Sequence, residues 1–464
     1  MTEMFTATDP TTGAVVRQVP TLDAAELDDV LERAEDAYDA WRRRPIAARA
    51  DVLRGVASAM RDDAERLAML MTEEMGKPIT EARGEVAKAA WAAEHYAEHA
   101  EAYLAPDALL SDATRSYVQH LPMGPVLGVL PWNAPFWLAF RFCAPALMAG
   151  NVCVIKHDRH VPGCAAAIAD VVARVAEEHG APPSILQNAP LDHHLVEAAL
   201  QDRRIRAVSL TGSDRAGAAV AQTAAREIKP AVLELGGSDP AIVLADADLD
   251  LAARVITTMR MINAGQSCIA AKRVIVEEAV HDDFVARYAE QLQALRMGDP
   301  RAADTQVGPI ARADLRANLH RQVADTVAQG ATLRFGGEIP AGDGFFYPVT
   351  LLTEVLPGMT ACTEETFGPV AVVLSAANAD AAVALANDTP YGLAASVWTG
   401  SAERGEAIAR EIVAGQVAVN GIVKTDPRLP SGGVKRSGYG RELGPDGIRA
   451  FVNRQQVWVG PATG

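Results

Sequence analysis

The chain has 464 residues, 49% of them hydrophobic and 22% charged, a length beyond one ordinary core that implies two or three soluble globular domains. A formal net charge of -16 sets it against general affinity for nucleic acid or an anionic membrane, and no basic patch stands apart along it. Five cysteines, Cys143, Cys153, Cys164, Cys268 and Cys362, are dispersed and odd in number, without a CxxC pair or zinc-like grouping, which points to a reduced cytoplasm and to no bound metal.

The first residues, MTEMFTATDPTTG, show neither the basic start nor the apolar run of a secretory leader. From 22 to 105 apolar positions recur at helical spacing in a charged background, as in LDAAELDDVLERAEDAYDAWRR, and predict several amphipathic helices serving as scaffold. Residues 116–131 hold two β-rich halves that meet at Met123 and Gly124, predicting a strand or hairpin followed by a buried strand. The most apolar stretch, 123–155, is broken by Pro125, Pro131, Pro135 and Pro145 and reads as buried strand and loop, not as a membrane span.

Farther on the pattern alternates: strand 151–156, helix 161–180, strand 204–212, helix 214–227, strand 231–235. Alternation of this kind implies crossover units and a parallel sheet, the α/β architecture that holds dinucleotides at the carboxyl ends of its strands. Strands at 273–276 and 370–374, with helices near 248–262, 280–295 and 378–386, predict a second α/β domain.

Two residues suggest covalent chemistry on a carbonyl. Cys268 lies in NAGQSCIAAKR (263–273), and upstream Glu234 lies in LELGG (233–237). A thiolate adds readily to an aldehyde, and a carboxylate can deprotonate the water that later releases the acyl group. Cys268 is expected at the start of a helix, where the dipole lowers a thiol pKa; the competing reading is a buried structural cysteine. Glu234 closes an apolar strand ahead of Gly236 and Gly237, where backbone can approach a ligand, or else is a solvated glutamate. Asn133, held between prolines in PWNAPFW, can donate its amide to an oxyanion or serve as a turn asparagine. No GxGxxG occurs; SLTGSDRAG (209–217) runs from a strand through Gly212 and Ser213 into a helix, offering amides to a phosphate or simply capping that helix.

Together these stretches resemble the NAD(P)-dependent aldehyde dehydrogenase superfamily, in order and over nearly the whole chain. PWNAPFW, SLTGS, LELGGSDP, NAGQSCIAAKR, EETFGPV (364–370), NDTPYGLAASVWT (387–399) and SGGVKRSGYGRE (431–442) carry the likeness. The resemblance implies a Rossmann-like cofactor domain over 1–106 and 124–235, an α/β catalytic domain over 236–430, and a small β oligomerisation element of 107–123 and 431–464. In that element IRAFVNRQQVWVG (448–460) reads as a strand suited to pairing between subunits of a homodimer or homotetramer.

It also implies Cys268 as nucleophile, Glu234 as general base, and Asn133 with the Cys268 backbone amide as oxyanion hole. Lys156 would hold the adenosine ribose, Glu365 the nicotinamide ribose, and Phe367 would pack near the nicotinamide. Gly212 and Ser213 would lie by the pyrophosphate, with Pro131, Trp132, Leu235 and Gly236 also at the cofactor. CoA-acylating relatives generally lack this carboxylate, so Glu234 favours water as the acyl acceptor.

Within the superfamily the chain looks like the short bacterial succinate-semialdehyde dehydrogenases, in PWNAPFWLAFRFCAPALMAGN (131–151), MGKPITEARGEVAK (75–88), the Lys156–His157 pair and DPRLPSGGVKRSGYGREL. Arg141 matches a position where such enzymes place an arginine for the substrate carboxylate, with Trp137 and Ser267 in the same pocket; a structural ion pair is its other reading. Ile262 stands where longer relatives carry a second arginine, and Ala134 and Ser431 replace phenylalanines, which is expected to widen or reshape the substrate tunnel. Arg159, three residues past Lys156, favours the 2'-phosphate of NADP, whereas Asp158 opposes it and leaves NAD open. The expected reaction is oxidation of succinate semialdehyde, or of another small aliphatic or aromatic aldehyde, through a cysteine thioester. Its rivals are a non-redox cysteine thioesterase and a non-catalytic descendant of the fold.

Overall fold

A computed structural model of the chain describes residues 3–460. The amphipathic N-terminal segment forms the helices Ala24–Trp41, Ile46–Asp62, Ala64–Met75 and Ile79–Tyr103. Asp23 starts the first with a reciprocal cap: its carboxylate accepts from the N–H groups of Ala25 and Glu26 at 2.9 Å, and the Glu26 carboxylate takes the Asp23 N–H at 2.8 Å. A cap of this type contributes about 1 kcal/mol. The fourth helix buries Ala82, Ala89, Ala90, Ala93 and Ala100, small side chains that let it lie close against Ile46–Asp62 and Pro135–Ala149.

The helix Pro135–Ala149 corrects the reading of 123–155 as strand and loop. Each of its residues is buried, so no polar face betrays the helical period. Pro135 occupies the first turn, where a missing N–H costs nothing, and Pro145, inside the helix, gives up the bond it would have donated to the Arg141 carbonyl. The two halves of 116–131 form a strand followed by a buried strand, the first of the two expected arrangements, and they join different sheets. Arg115–Pro122 pairs with Val452–Val459 and Asp107–Ala108 in a three-stranded sheet, while Pro125–Leu130 enters the centre of a six-stranded one.

That larger sheet runs in the order Gly438–Tyr439, Ala231–Glu234, Ala207–Thr211, Pro125–Leu130, Val152–His157, Leu186–Asn188, parallel except for Gly438–Tyr439. The chain starts in the middle at Pro125–Leu130, moves outward to Leu186–Asn188, and returns on the other side through Ala207–Thr211. This reversal opens a crevice beyond the carboxyl ends of the two central strands, where ligands of doubly wound sheets bind. Pro131 and Trp132 follow one of those strands, Gly212 and Ser213 the other. Leu443, Ile448 and Phe451 bury in the same core as Val126 and Val154, so the C-terminal segment is shared between this sheet and the three-stranded one.

A second sheet of seven strands has Ala271–Glu277 and Asp239–Val243 at its centre. Alternate residues sort into two cores on its two faces, Ile242, Ile275 and Val372 in one and Val243, Val274 and Val373 in the other, as the two-residue period of a doubly covered strand requires.

Candidate active site

Cys268 does not start a helix. It sits in a turn between a short 3-10 segment, Ile262–Gly265, and the strand Ala271–Glu277, so no helix dipole lowers its pKa. Asn263, Ala264 and Gly265 take φ values of +55°, +52° and +73°, three successive left-handed residues just before the nucleophilic loop. Strain of this order, about 1–3 kcal/mol per non-glycine residue, persists only where the surroundings impose it. Here Arg260, fully buried, imposes it by donating to the carbonyls of Gly265 at 3.3 Å, Thr366 at 2.9 Å and Val370 at 2.6 Å.

Burial pushes the Cys268 thiol up to about 11, against the pull of the Arg141 and Lys272 charges. Lys272, itself fully buried, donates to the carbonyls of Ser267 at 3.0 Å and Cys268 at 2.6 Å and pairs with Glu365 at 3.1 Å. Sequence reasoning missed this lysine although it lies inside NAGQSCIAAKR, because a lysine in a strand reads as an exposed one.

Asn133 approaches the thiol from the end of the strand Pro125–Leu130. Its Nδ2 donates to the Gln266 carbonyl at 3.2 Å, which leaves its second hydrogen unused, and its own carbonyl accepts from Lys77 Nζ and Asn263 Nδ2 at 2.9 Å each. Asn133, Ala134, Trp137, Arg141, Ser267 and Cys268 all line one cavity of about 380 Å³.

Glu234 ends its strand buried, with Oε1 lacking a hydrogen-bond partner among the described residues. A Cβ on Gly432 would come within 2.8 Å of that oxygen, so the glycine keeps the carboxylate's flank open. Burial raises the Glu234 carboxyl to about 7; the Arg141 charge opposes the rise and Glu442 adds to it.

Arg141 lines the cavity and also forms the structural ion pair that is its other reading. It is buried, paired with Glu442 and, at 3.5 Å, with Glu234, and it donates to Thr211 Oγ1 at 3.2 Å. Burial works against its charge, but the two carboxylates outweigh burial and raise its pKa. Glu442, absent from the sequence expectations, also accepts from Ser209 Oγ at 2.9 Å. Arg141→Ala is therefore expected to destabilise the fold by about 3–5 kcal/mol, the cost of stranding buried charge. It should slow turnover of charged and uncharged aldehydes alike, which unfolding measurements and kinetics on both substrate types will check.

Ile262 lines the cavity where a second arginine was absent from the sequence, and Ala134 also faces it. Ser431 does not line it; it is buried and exchanges backbone hydrogen bonds with Glu442, so the expected effect on the tunnel falls to Ala134. The helix Ile79–Tyr103, read as scaffold, supplies wall as well: Glu81, Glu85 and Lys88 recur at i, i+4 and i+7 along one face, a stripe that resembles a solvated surface in the sequence.

The cofactor crevice carries a fitting donor set. Lys156, half-buried, places its ammonium 5.5 Å from the Phe5 ring and makes no ion pair among the described residues, and Ser213 caps the helix Asp214–Arg226. Gly236 lies so near Glu365 that a Cβ there would meet Oε2 at 2.5 Å, a close approach only glycine allows. Glu365 also accepts from the Gly237 N–H at 3.2 Å, Leu235 is held through its N–H to the Ser437 carbonyl at 3.0 Å, and Phe367 meets Trp132 edge to face at 5.8 Å. Arg159 is half-exposed and pairs with Glu3 at 2.8 Å, while Asp158 is tied to His160 at 2.6 Å.

A sequence profile described as the aldehyde dehydrogenase family matches residues 1–457. A probable NADP(+) succinate-semialdehyde dehydrogenase of Synechocystis is 46% identical over 97% of this chain and 98% of its own. The NADP(+) succinate-semialdehyde dehydrogenase 1 of Mycobacterium tuberculosis is 45% identical over the same shares. Among solved structures, succinic semialdehyde dehydrogenase from Streptococcus pyogenes with NADP+ superposes with a TM-score of 0.95 at 33% identity, covering 98% of this chain and all of that one.

Proposed function

The chain belongs to the aldehyde dehydrogenase family, and from that premise we propose that it oxidises succinate semialdehyde to succinate with NADP. The observation that carries the reading is the grouping of a half-buried thiol, Cys268, with the amide of Asn133 on the wall of one cavity, with a Glu234 oxygen that has no hydrogen-bond partner among the described residues.

In this reading the Cys268 thiolate adds to the aldehyde carbon, and the resulting oxyanion accepts from Asn133 Nδ2 and the Cys268 N–H. Lys156, Gly212, Ser213, Glu365 and Phe367 would hold the dinucleotide, with Pro131, Trp132, Leu235 and Gly236 shaping its crevice. When bound, the oxidised nicotinamide supplies the hydride acceptor that aldehyde oxidation requires. Cys268 is left as a thioester. Glu234 takes a proton from water, the hydroxide adds to the thioester carbonyl, and collapse expels the thiolate and releases the acid.

The names of the relatives support NADP and the four-carbon semialdehyde. Asp158, the acid expected to repel a 2'-phosphate, is engaged by His160. Arg159 would turn toward that phosphate by exchanging its exposed contact with Glu3, an ion pair worth little at a half-exposed site. A cofactor domain of 1–106 and 124–235, a catalytic domain of 236–430 and an oligomerisation element of 107–123 and 431–464 remain part of the proposal. Exposed Leu121, Trp458 and Val459 on the three-stranded sheet support a homo-oligomer. No helix among the described residues is long and apolar enough to cross a membrane.

The test is absorbance at 340 nm with succinate semialdehyde and butanal, each with NADP and NAD. NADPH formation is expected, with kcat/KM for the semialdehyde at least about tenfold above that for butanal. A protein that hydrolyses thioesters and leaves both cofactors oxidised would be the rival hydrolase.

A further inference from the structure

We infer that Lys88 is the residue that receives the carboxylate of the substrate, a specificity role resting on the reading of the substrate as a carboxyl-bearing aldehyde. Of the cations that line the cavity, two are already neutralised within the protein: Arg141 by Glu442 and Glu234, and Lys77 by Glu85. Lys88 and Lys424 remain, and among the described residues neither makes an ion pair. Lys424 is exposed and, among the described residues, without a fixed partner, whereas Lys88 is half-buried and held in place.

Two contacts hold it. Lys88 Nζ lies 4.0 Å from the Trp137 ring and donates to Thr425 Oγ1 at 2.8 Å. An aromatic face and a hydroxyl fix an ammonium without cancelling its charge, so the full positive charge and a remaining N–H are available to an acid in the cavity. The nearest acids are committed elsewhere: Glu85 to Lys77 and to the N–H groups of Phe136 and Trp137, and Asp426 to Arg428 at 2.6 Å. Glu81, the other acid on the wall, is raised to about 7 by burial and so carries only part of its charge at neutral pH.

Cys268 and Lys88 thus face one cavity, the first addressing the aldehyde carbon and the second an anionic tail. Burial, outweighing the attraction of Glu85 and Asp426 and assisted by repulsion from Arg141 and Lys424, lowers the Lys88 pKa to about 8. Its charge is strongest below that pH and is lost above it.

The test compares wild type, Lys88→Gln and Lys88→Arg by kcat/KM for succinate semialdehyde and for butanal, which has the same chain length without the acid. Lys88→Gln is expected to lower the ratio of the two constants by about tenfold to hundredfold, chiefly through KM for the semialdehyde, and Lys88→Arg to restore most of it. Butanal turnover reports in the same experiment that the variant is folded. In wild type the same ratio should fall as pH rises through about 8, a second measurement that needs no variant. A wild-type preference for the semialdehyde that survives Lys88→Gln, or a ratio flat across that pH window, overturns the inference alone. Absence of any preference in wild type overturns the substrate reading and the inference with it.

Discussion

Cys268→Ala is expected to lower aldehyde oxidation by about 10⁴-fold or more, since removing a nucleophile leaves only binding and oxyanion contacts to assist the reaction. The substitution should leave the fold intact. Cys268 is half-buried in a turn, and the contacts that shape the turn, Lys272 to the Ser267 and Cys268 carbonyls and Arg260 to the Gly265 carbonyl, involve backbone that alanine retains. Binding of NADP, followed by quenching of tryptophan fluorescence, should therefore persist while turnover disappears. The other four cysteines are buried and do not line the cavity, so none can substitute. Substantial residual activity would place the nucleophile elsewhere.

The thiol of this nucleophile is not activated in the way the sequence suggested. A helix start would have stabilised the thiolate through backbone dipoles. The loop instead sets the thiol among point charges, Arg141 and Lys272 favouring ionisation and Glu234 and Asp239 opposing it, with burial prevailing. A helix is the natural expectation from Gly265 onward, but a run of left-handed residues leaves no periodic signal, and it is held by Arg260, which ties the adjacent Gly265 carbonyl to those of the distant Thr366 and Val370.

Much of the rest was legible for identifiable reasons. Strands such as Val152–His157 and Ala207–Thr211 are short apolar runs bounded by turn residues, and their alternation with helices announces a parallel sheet. Pro135–Ala149 was hidden because a helix buried on every side has no amphipathic period. The fate of Arg141 was hidden by distance along the chain: Glu442 reaches it from beyond the catalytic sheet, and spacing cannot reveal such a partner. Lys88 was visible as the last residue of MGKPITEARGEVAK, yet only the packing of its helix against Pro135–Ala149 turns that charged stripe inward.

Glu234→Gln is expected to separate the two halves of the reaction. The glutamine keeps the volume and can still meet Arg141 and Glu442 through its amide, so the fold and the thiol's surroundings change little. It cannot accept a proton from water at neutral pH. Acyl-enzyme hydrolysis should slow by about 10²–10⁴-fold, the range for loss of a positioned base. If hydride transfer is spared, rapid mixing of enzyme, NADP and aldehyde will show a burst approaching one NADPH per active site, followed by a slow steady rate, and intact-protein mass will show the acyl group. The pH profile gives an independent check. Burial raises the Glu234 carboxyl to about 7, and the base is the deprotonated form, so wild-type turnover limited by hydrolysis should rise with pH through about 7 and level above it. In Glu234→Gln that rise should be missing. Wild-type deacylation speed in the variant would mean that another base activates the water, and Glu442, held by the same arginine, would be the first to examine.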